Sequence, residues 1–352
     1  MLRDSNNKII MEPSTEPNEA QKRQIARKYG MFLHFGINTF GNVEWSDGKI
    51  PIESYQPAAI DAEQWVRTAY EAGMNFVILI TKHHDGFCLW DTDTTRYSVK
   101  YSPNTADVVK EVSEACKKYG LSFGLYYSLW DEHEPSFADN FDRGYINYML
   151  KQLEELMDGR YGEIVELWMD GPWKKLCPQW RYDLIYDLVK RLQPQCQIGI
   201  NHTIGEPGLG DPDERYLPKN YQLYDPIRNF PSDFRLWDPH ICRKDDPKIY
   251  TCEGKNYYMP FEQTICSRDG FSWFYSDQYE EKPLIDKNYI ADCYRQVTAQ
   301  DNLMVVNLPP DTRGRLSERD VQNIMDVADI LGIRRNKEIW NSSDAVIKNT
   351  GL

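Results

Sequence analysis

Two adjacent histidines, His83 and His84, stand in the stretch Lys82-His83-His84-Asp85-Gly86-Phe87, directly after the apolar run Phe76-Val77-Ile78-Leu79-Ile80. The chain has six histidines in all, so the pairing is a concentrated use of a residue type that ligates metals, carries protons or reads hydroxyls. Metal binding is disfavoured, because adjacent residues on an extended strand point apart and no third ligand lies close in sequence. One histidine of the pair is therefore expected to face a ligand. A second chemistry-bearing position is Asp170, which ends the apolar stretch Ile164-Val165-Glu166-Leu167-Trp168-Met169 and is followed by Gly171 and Pro172. A carboxylate at the end of a buried strand is a candidate nucleophile or base, although an aspartate there can also serve only to fix a turn. Trp168, two residues earlier, falls on the same side of the strand and gives the carboxylate an aromatic neighbour.

These residues need a scaffold that brings strand ends together. From about residue 30, apolar runs alternate with amphipathic stretches: strands are expected at 31–37, 75–80, 121–129, 163–170, 197–201, 257–265 and 302–308. Helices are expected at 61–74, 106–120, 144–157, 181–192, 288–300 and 317–331, with a long irregular stretch at 202–256. Strands nearly continuous in hydrophobicity and separated by helices mean a parallel sheet covered by helices. The Gly-x-Gly-x-x-Gly fingerprint of a nucleotide-binding open sheet is missing. Polar and aromatic residues instead follow strand after strand: His34, then His83 and His84, then Tyr126 and Tyr127, then Asp170. That distribution favours a (β/α)8-like TIM barrel, with room for irregularity in its second half. The expected organisation is a polar N-terminal segment over 1–20, a catalytic barrel over 21–335 and an extension over 336–352, with no run of short alternating strands to build a β-sandwich after it.

Composition narrows the partners. With 54 acidic against 41 basic residues the formal charge is -13, which argues against nucleic acid and against an anionic membrane face. Ten Trp and 23 Tyr exceed what a core needs, and such rings often line sites that stack on flat apolar faces, such as those of sugars. No apolar run reaches bilayer length and the first 21 residues lack the apolar centre of a secretory signal, so the chain as it stands reads as cytoplasmic. Eight scattered cysteines form no Cys-x-x-Cys pair, and His240, Cys242 and Cys252 match no common zinc spacing, so no metal or cofactor is expected.

Taken in order, His34-Phe35-Gly36, Glu44-Trp45, Lys82 to Phe87, Tyr126-Tyr127-Ser128, Leu167 to Gly171, Pro260 to Tyr275 and Asn302 to Gly314 resemble the retaining α-L-fucosidases of glycoside hydrolase family 29. The likeness runs from residue 23 to about 340. It implies a barrel hydrolase, usually followed by a β-sandwich, that releases α-linked L-fucose from a glycan without a cofactor. It also implies that Asp170 is the nucleophile of a double displacement, and that His34, Glu44, Trp45, His83, His84, Tyr127 and Trp168 hold fucose or support the nucleophile. Tyr126 and Tyr127 must alternate faces in a strand, so only one can point into the barrel mouth.

A retaining enzyme needs a second carboxyl roughly 5–5.5 Å from the first. Glu214, on the loop after the fifth strand, is the favoured acid/base by resemblance, with Glu262 the alternative and Glu206 or Asp213 behind it. Its protonation is favoured before attack, while Asp170 is ionised nearby. The chain departs from the family in Asn201-His202-Thr203-Ile204-Gly205, where Thr203 replaces a common site arginine that Arg215 or Arg268 would then have to supply. The long aromatic stretch from about 216 to 256 is expected to shape the leaving-group side, which leaves L-galactose open as an alternative glycone, and sugar binding without hydrolysis as an alternative function.

Overall fold

A computed structural model describes residues 1–205, 221–238 and 241–335. Its centre is an eight-stranded parallel sheet with neighbours in the order β6-β5-β4-β3-β2-β1-β10-β9, so the strands form the staves of a barrel. These strands are β1 (Tyr29–Leu33), β2 (Phe76–Lys82), β3 (Ser122–Ser128), β4 (Ile164–Asp170), β5 (Gln197–Ile200), β6 (Phe234–Arg235), β9 (Glu262–Cys266) and β10 (Leu303–Asn307). The seam between β6 and β9 is joined by a parallel bridge from Arg235 to Phe261, where Arg235 N–H donates to the Pro260 carbonyl at 2.8 Å.

Helices α3 (Ala62–Glu71), α4 (Val108–Tyr119), α6 (Ile146–Met157), α7 (Tyr182–Leu192), α8 (Lys287–Thr298) and α9 (Glu318–Leu331) cover the outside. Short helices α2 (Ile37–Gly41) and α5 (Ser136–Asp139) lie in the loops after β1 and β3. Their local causes are ordinary: Asp61, Asp107 and Asp286 cap α3, α4 and α8 through side-chain oxygens, and Gly120 ends α4 in the left-handed region. Helix α1 (Glu19–Arg27), started by a capping box between Asn18 and Gln21, closes the N-terminal mouth of the barrel. From it Arg27 pairs with the buried Glu166 of β4 at 2.9 Å, and Gln24 donates to the same carboxylate. The segment before α1 is packed rather than free: Ile9 and Met11 are buried, and Lys8 pairs with Asp183 of α7.

The period of two along each strand divides the core in two. Phe32, Phe76, Ile78, Ile80, Tyr126, Trp168, Phe234, Leu303 and Val305 fill the lumen, while Met31, Val77, Leu79, Leu125, Leu167, Met304 and Val306 pack outward under the helices. Gly199 is glycine because a Cβ there would meet the Phe234 ring at 2.4 Å.

Among its described residues, the stretch 202–256 is less irregular than its sequence suggests. It holds β6, hidden because only two residues pair, and a hairpin of β7 (Ile249–Cys252) and β8 (Lys255–Tyr258). The single strand expected at 257–265 is split: Tyr257 and Tyr258 belong to the hairpin, and the barrel strand begins at Glu262, after Pro260, which has no N–H to donate.

Candidate active site

Several inward-facing series of residues run up to the C-terminal mouth, where their upper members line a pocket of about 330 Å³. Phe32 of β1 leads to His34 just past the strand, Trp168 to Asp170 on β4, Gly199 of β5 to Asn201 just past the strand, Leu236 to Asp238 after β6, and Glu262 to Thr264 on β9. The pocket is also lined by Glu44, Trp45, His83, His84, Tyr126 and Trp173, with Gly270, Phe271 and Trp273 from the loop after β9.

Asp170 is held from two sides. Tyr126 Oη donates to its Oδ2 at 2.9 Å and Asn201 Nδ2 donates to its Oδ1 at 2.9 Å. Burial, reinforced by the Asp170 charge, pushes the Tyr126 hydroxyl well above its usual pKa, so it stays a donor. His84 Nε2 lies 3.7 Å from Asp170 Oδ2. Gly171 adopts φ 77°, and a Cβ there would meet Trp130 Cβ at 2.7 Å, so the chain can turn sharply after the carboxylate only with glycine.

The histidines are placed by their second nitrogens. His34 Nδ1 lies 2.7 Å from Asn307 Oδ1, and Asn307 Nδ2 donates to the Trp273 carbonyl at 2.9 Å, which fixes the amide orientation. His34 Nδ1 is then the donor and Nε2 the acceptor of a neutral ring. Burial drives its pKa down to about 3 against the Asn307 bond that raises it. His83 is likewise pushed well below its usual value by burial, then by His84 and His34. The two adjacent histidines do not point apart: their ring centroids are 4.1 Å apart and both line the pocket. The expectation that only one faces a ligand fails because β2 ends at Lys82 after a register shift, leaving the pair in a turn.

That turn is anchored beneath. Lys82 Nζ pairs with Asp131 Oδ2 at 2.8 Å, both side chains being fully buried, and lies 4.4 Å over the Tyr127 ring. Asp131 Oδ1 accepts from the backbone N–H groups of His133 and Glu134, tying the loop after β3 to the end of β2. Asp85 accepts from Phe87 N–H, and burial raises its pKa to about 7. Glu44 reaches across the mouth: its Oε2 accepts from the N–H groups of Trp273 and Phe274, while burial raises its pKa. Trp45 meets His84 and Trp130 edge-on at the rim.

Of the residues expected from sequence, His34, Glu44, Trp45, His83, His84, Trp168 and Asp170 converge here. Tyr127 does not, and Tyr126 takes its place. Tyr127 faces outward, where its hydroxyl donates to Gln152 of α6 at 2.6 Å. Glu262 does not reach the pocket either. It is the first residue of β9, paired in register with Leu303 near the N-terminal end of the barrel, and buried against Glu166. Burial first, and then the neighbouring Glu166 charge, hold its pKa well above the carboxylate range. Glu206, Asp213, Glu214, Arg215 and His240 lie outside the described residues. Arg268 offers no replacement for the missing arginine, being buried and committed to Asp320 and Glu280. Thr203 is structural, donating to the Ile200 carbonyl and accepting from Leu236 N–H. Asn201, Asp238 and Trp273 were missed as site residues; the available signal was position, since Asn201 follows β5 as Asp170 ends β4.

A family model described as "Alpha-L-fucosidase" matches residues 4–336. Alpha-L-fucosidase 1 of Arabidopsis thaliana is 32% identical over 328 residues, covering 89% of this chain and 59% of that protein. Among solved structures, a glycoside hydrolase 29 family member from an unknown rumen bacterium is 27% identical with TM-score 0.73, covering 91% of this chain and 58% of the other. Alpha-L-fucosidase isoenzyme 1 from Paenibacillus thiaminolyticus is 25% identical with TM-score 0.68, covering 89% of this chain and 76% of the other. The chain spans a little under three-fifths of the length of the two plant relatives it matches.

Proposed function

Since the chain belongs to the alpha-L-fucosidase family, glycoside hydrolase family 29, we propose that it is an exo-acting α-L-fucosidase working with retention, with Asp170 as the nucleophile. The observation that carries this reading is the Asp170 carboxylate, held by Tyr126 and Asn201 at the end of β4 inside a pocket lined by His34, His83, His84 and aromatic faces.

In the first step an Asp170 oxygen bonds to the anomeric carbon as the glycosidic C–O bond breaks, and an acid delivers a proton to the leaving oxygen. Glu214 is proposed as that acid because its sequence context, Asp213 to Pro218, resembles that of the family's acid/base. Water, deprotonated by the same group, then opens the glycosyl-enzyme ester and returns Asp170. Tyr126 and Asn201 keep the carboxylate oriented, and they redistribute toward the remaining oxygen as the covalent bond forms. His34 Nε2 is an acceptor for one sugar hydroxyl, and Glu44 Oε1, its partner oxygen being tied to the Trp273 loop, is an acceptor for another. Phe32 and Trp168, both lining the pocket, supply apolar surface for a deoxy sugar's methyl group.

The decisive test is proton NMR of the first product released from an aryl α-L-fucoside, run beside the matching α-L-galactoside. α-L-Fucose appearing before mutarotation is expected. A β anomer appearing first would refute retention, and faster turnover of the galactoside would reassign the glycone.

A further inference from the structure

A second cavity of about 290 Å³ adjoins the pocket and shares a wall with it, formed by Asp238, Thr264, Gly270, Phe271 and Trp273. Beyond that wall it runs between β9 and the first turn of α8, along Ile241, Ile265, Ile285 and Tyr289. Phe271, Ile241 and Tyr289 are 55%, 51% and 43% exposed, so three large apolar side chains that the fold leaves in water are gathered in one groove. Single exposed apolar residues are ordinary, whereas a cluster continuous with a binding pocket marks a contact surface.

The position of the groove identifies its occupant. Asp170 acts from β4, and the groove opens beside β9, which lies three places around the barrel from β4 through β5, β6 and the Arg235–Phe261 bridge. A nucleophile attacking the anomeric carbon expels the leaving oxygen from the opposite face of the ring, so the departing group moves away from β4. The polar groups in the groove are the carboxylates of Asp238 and Asp269 and the Thr264 hydroxyl, while the Arg268 guanidinium is spent on Asp320 and Glu280. Among the described residues the lining therefore suits a partner with hydroxyls to donate, a flat apolar face and no negative charge.

Resting on the fucosidase reading above, we propose that this groove is the leaving-group subsite and that it takes a neutral pyranose, packed by its apolar face against Phe271 and Tyr289. Ile241 and Tyr289 line the groove and not the sugar pocket, so they determine which fucosides are cut and leave the chemistry alone.

The test compares α-L-fucosyl fluoride, whose leaving group is a single atom, with neutral fucosyl-galactose and fucosyl-N-acetylglucosamine disaccharides, in wild type and in Ile241→Ala/Tyr289→Ala. The double variant is expected to lower kcat/KM for the better disaccharide by about tenfold or more and to leave that for the fluoride within about twofold, the fluoride rate also reporting that the variant is folded. The subsite is overturned if the disaccharide rate is unchanged, if both rates fall together, or if wild type cleaves the fluoride and neither disaccharide. A wild type inert on the fluoride removes the fucosidase reading itself, and the subsite with it.

Discussion

Tyr126 Oη donates to Asp170 Oδ2 at 2.9 Å, across two adjacent strands whose register pairs Ser128 with Asp170. The hydroxyl therefore reaches one inward position up the barrel, from the Trp168 layer to the carboxylate at the mouth. This contact explains why the choice between two consecutive tyrosines matters.

Tyr126→Phe is expected to lower kcat by about ten- to a hundredfold, because one of the two donors orienting Asp170 is lost. Tyr127→Phe is expected to leave kcat within about twofold and to cost about 1 kcal/mol of stability through the lost bond to Gln152. Steady-state rates with an aryl fucoside and urea melts on both variants check the pair. Equal kinetic losses would contradict the opposite orientation of the two rings.

Asp170→Asn keeps the shape of the site and removes the carboxylate proposed as nucleophile. Turnover is expected to fall by about 10⁴-fold or more while fucose still protects the protein against thermal unfolding. Appreciable residual turnover in a preparation free of wild type would take Asp170 out of the role.

Glu214 and Glu262 separate by leaving group. Glu214→Gln is expected to slow cleavage of fucosyl sugars by about 10²-fold or more, and cleavage of fucosyl fluoride, which needs little protonation, far less. Glu262→Gln should show no such dependence, since Glu262 sits below the sugar floor against Glu166. A leaving-group dependence in Glu262→Gln alone would reverse the assignment.

His34 gives a pH signature in stability. Its folded pKa of about 3 lies below the ordinary value of 6.5, so the folded state binds fewer protons between those limits and stability falls on acidification. Each pH unit below about 6.5 costs about 1.4 kcal/mol from this group. His34→Gln removes that contribution, so the urea midpoint of the variant should drop less between pH 6 and pH 4 than that of wild type. Parallel slopes would contradict the neutral, buried ring.

The Lys82–Asp131 pair is fully buried under the His83–His84 turn. Lys82→Met leaves a carboxylate buried with its ionic partner gone and is expected to destabilise by about 3–5 kcal/mol. Removing both charges, as in Lys82→Met/Asp131→Leu, should recover part of the loss in a denaturant melt.

The amino-acid sequence by itself determined the barrel and most of its site. Long apolar runs separated by amphipathic helices leave few alternatives to a covered parallel sheet, and a polar residue just past such a run is carried to the strand's C-terminal end by chain geometry alone. His34 and Asp170 were legible for that reason. Strands held by two or three ladder bonds, such as β6, carry too few residues for periodicity to register, so Asp238 went unnoticed in a stretch that looked irregular. What only the tertiary structure decided was parity and height. Side chains alternate with a period of two, so the register of β3 assigns Tyr126 to the lumen and Tyr127 to the helices, and the shift at the end of β2 releases both histidines to the same side. A glutamate likewise reads the same at either end of a strand, and Glu262 lies in the floor because β9 begins with it rather than ending there. The two adjacent histidines thus share one wall of the pocket because the strand stops one residue before them.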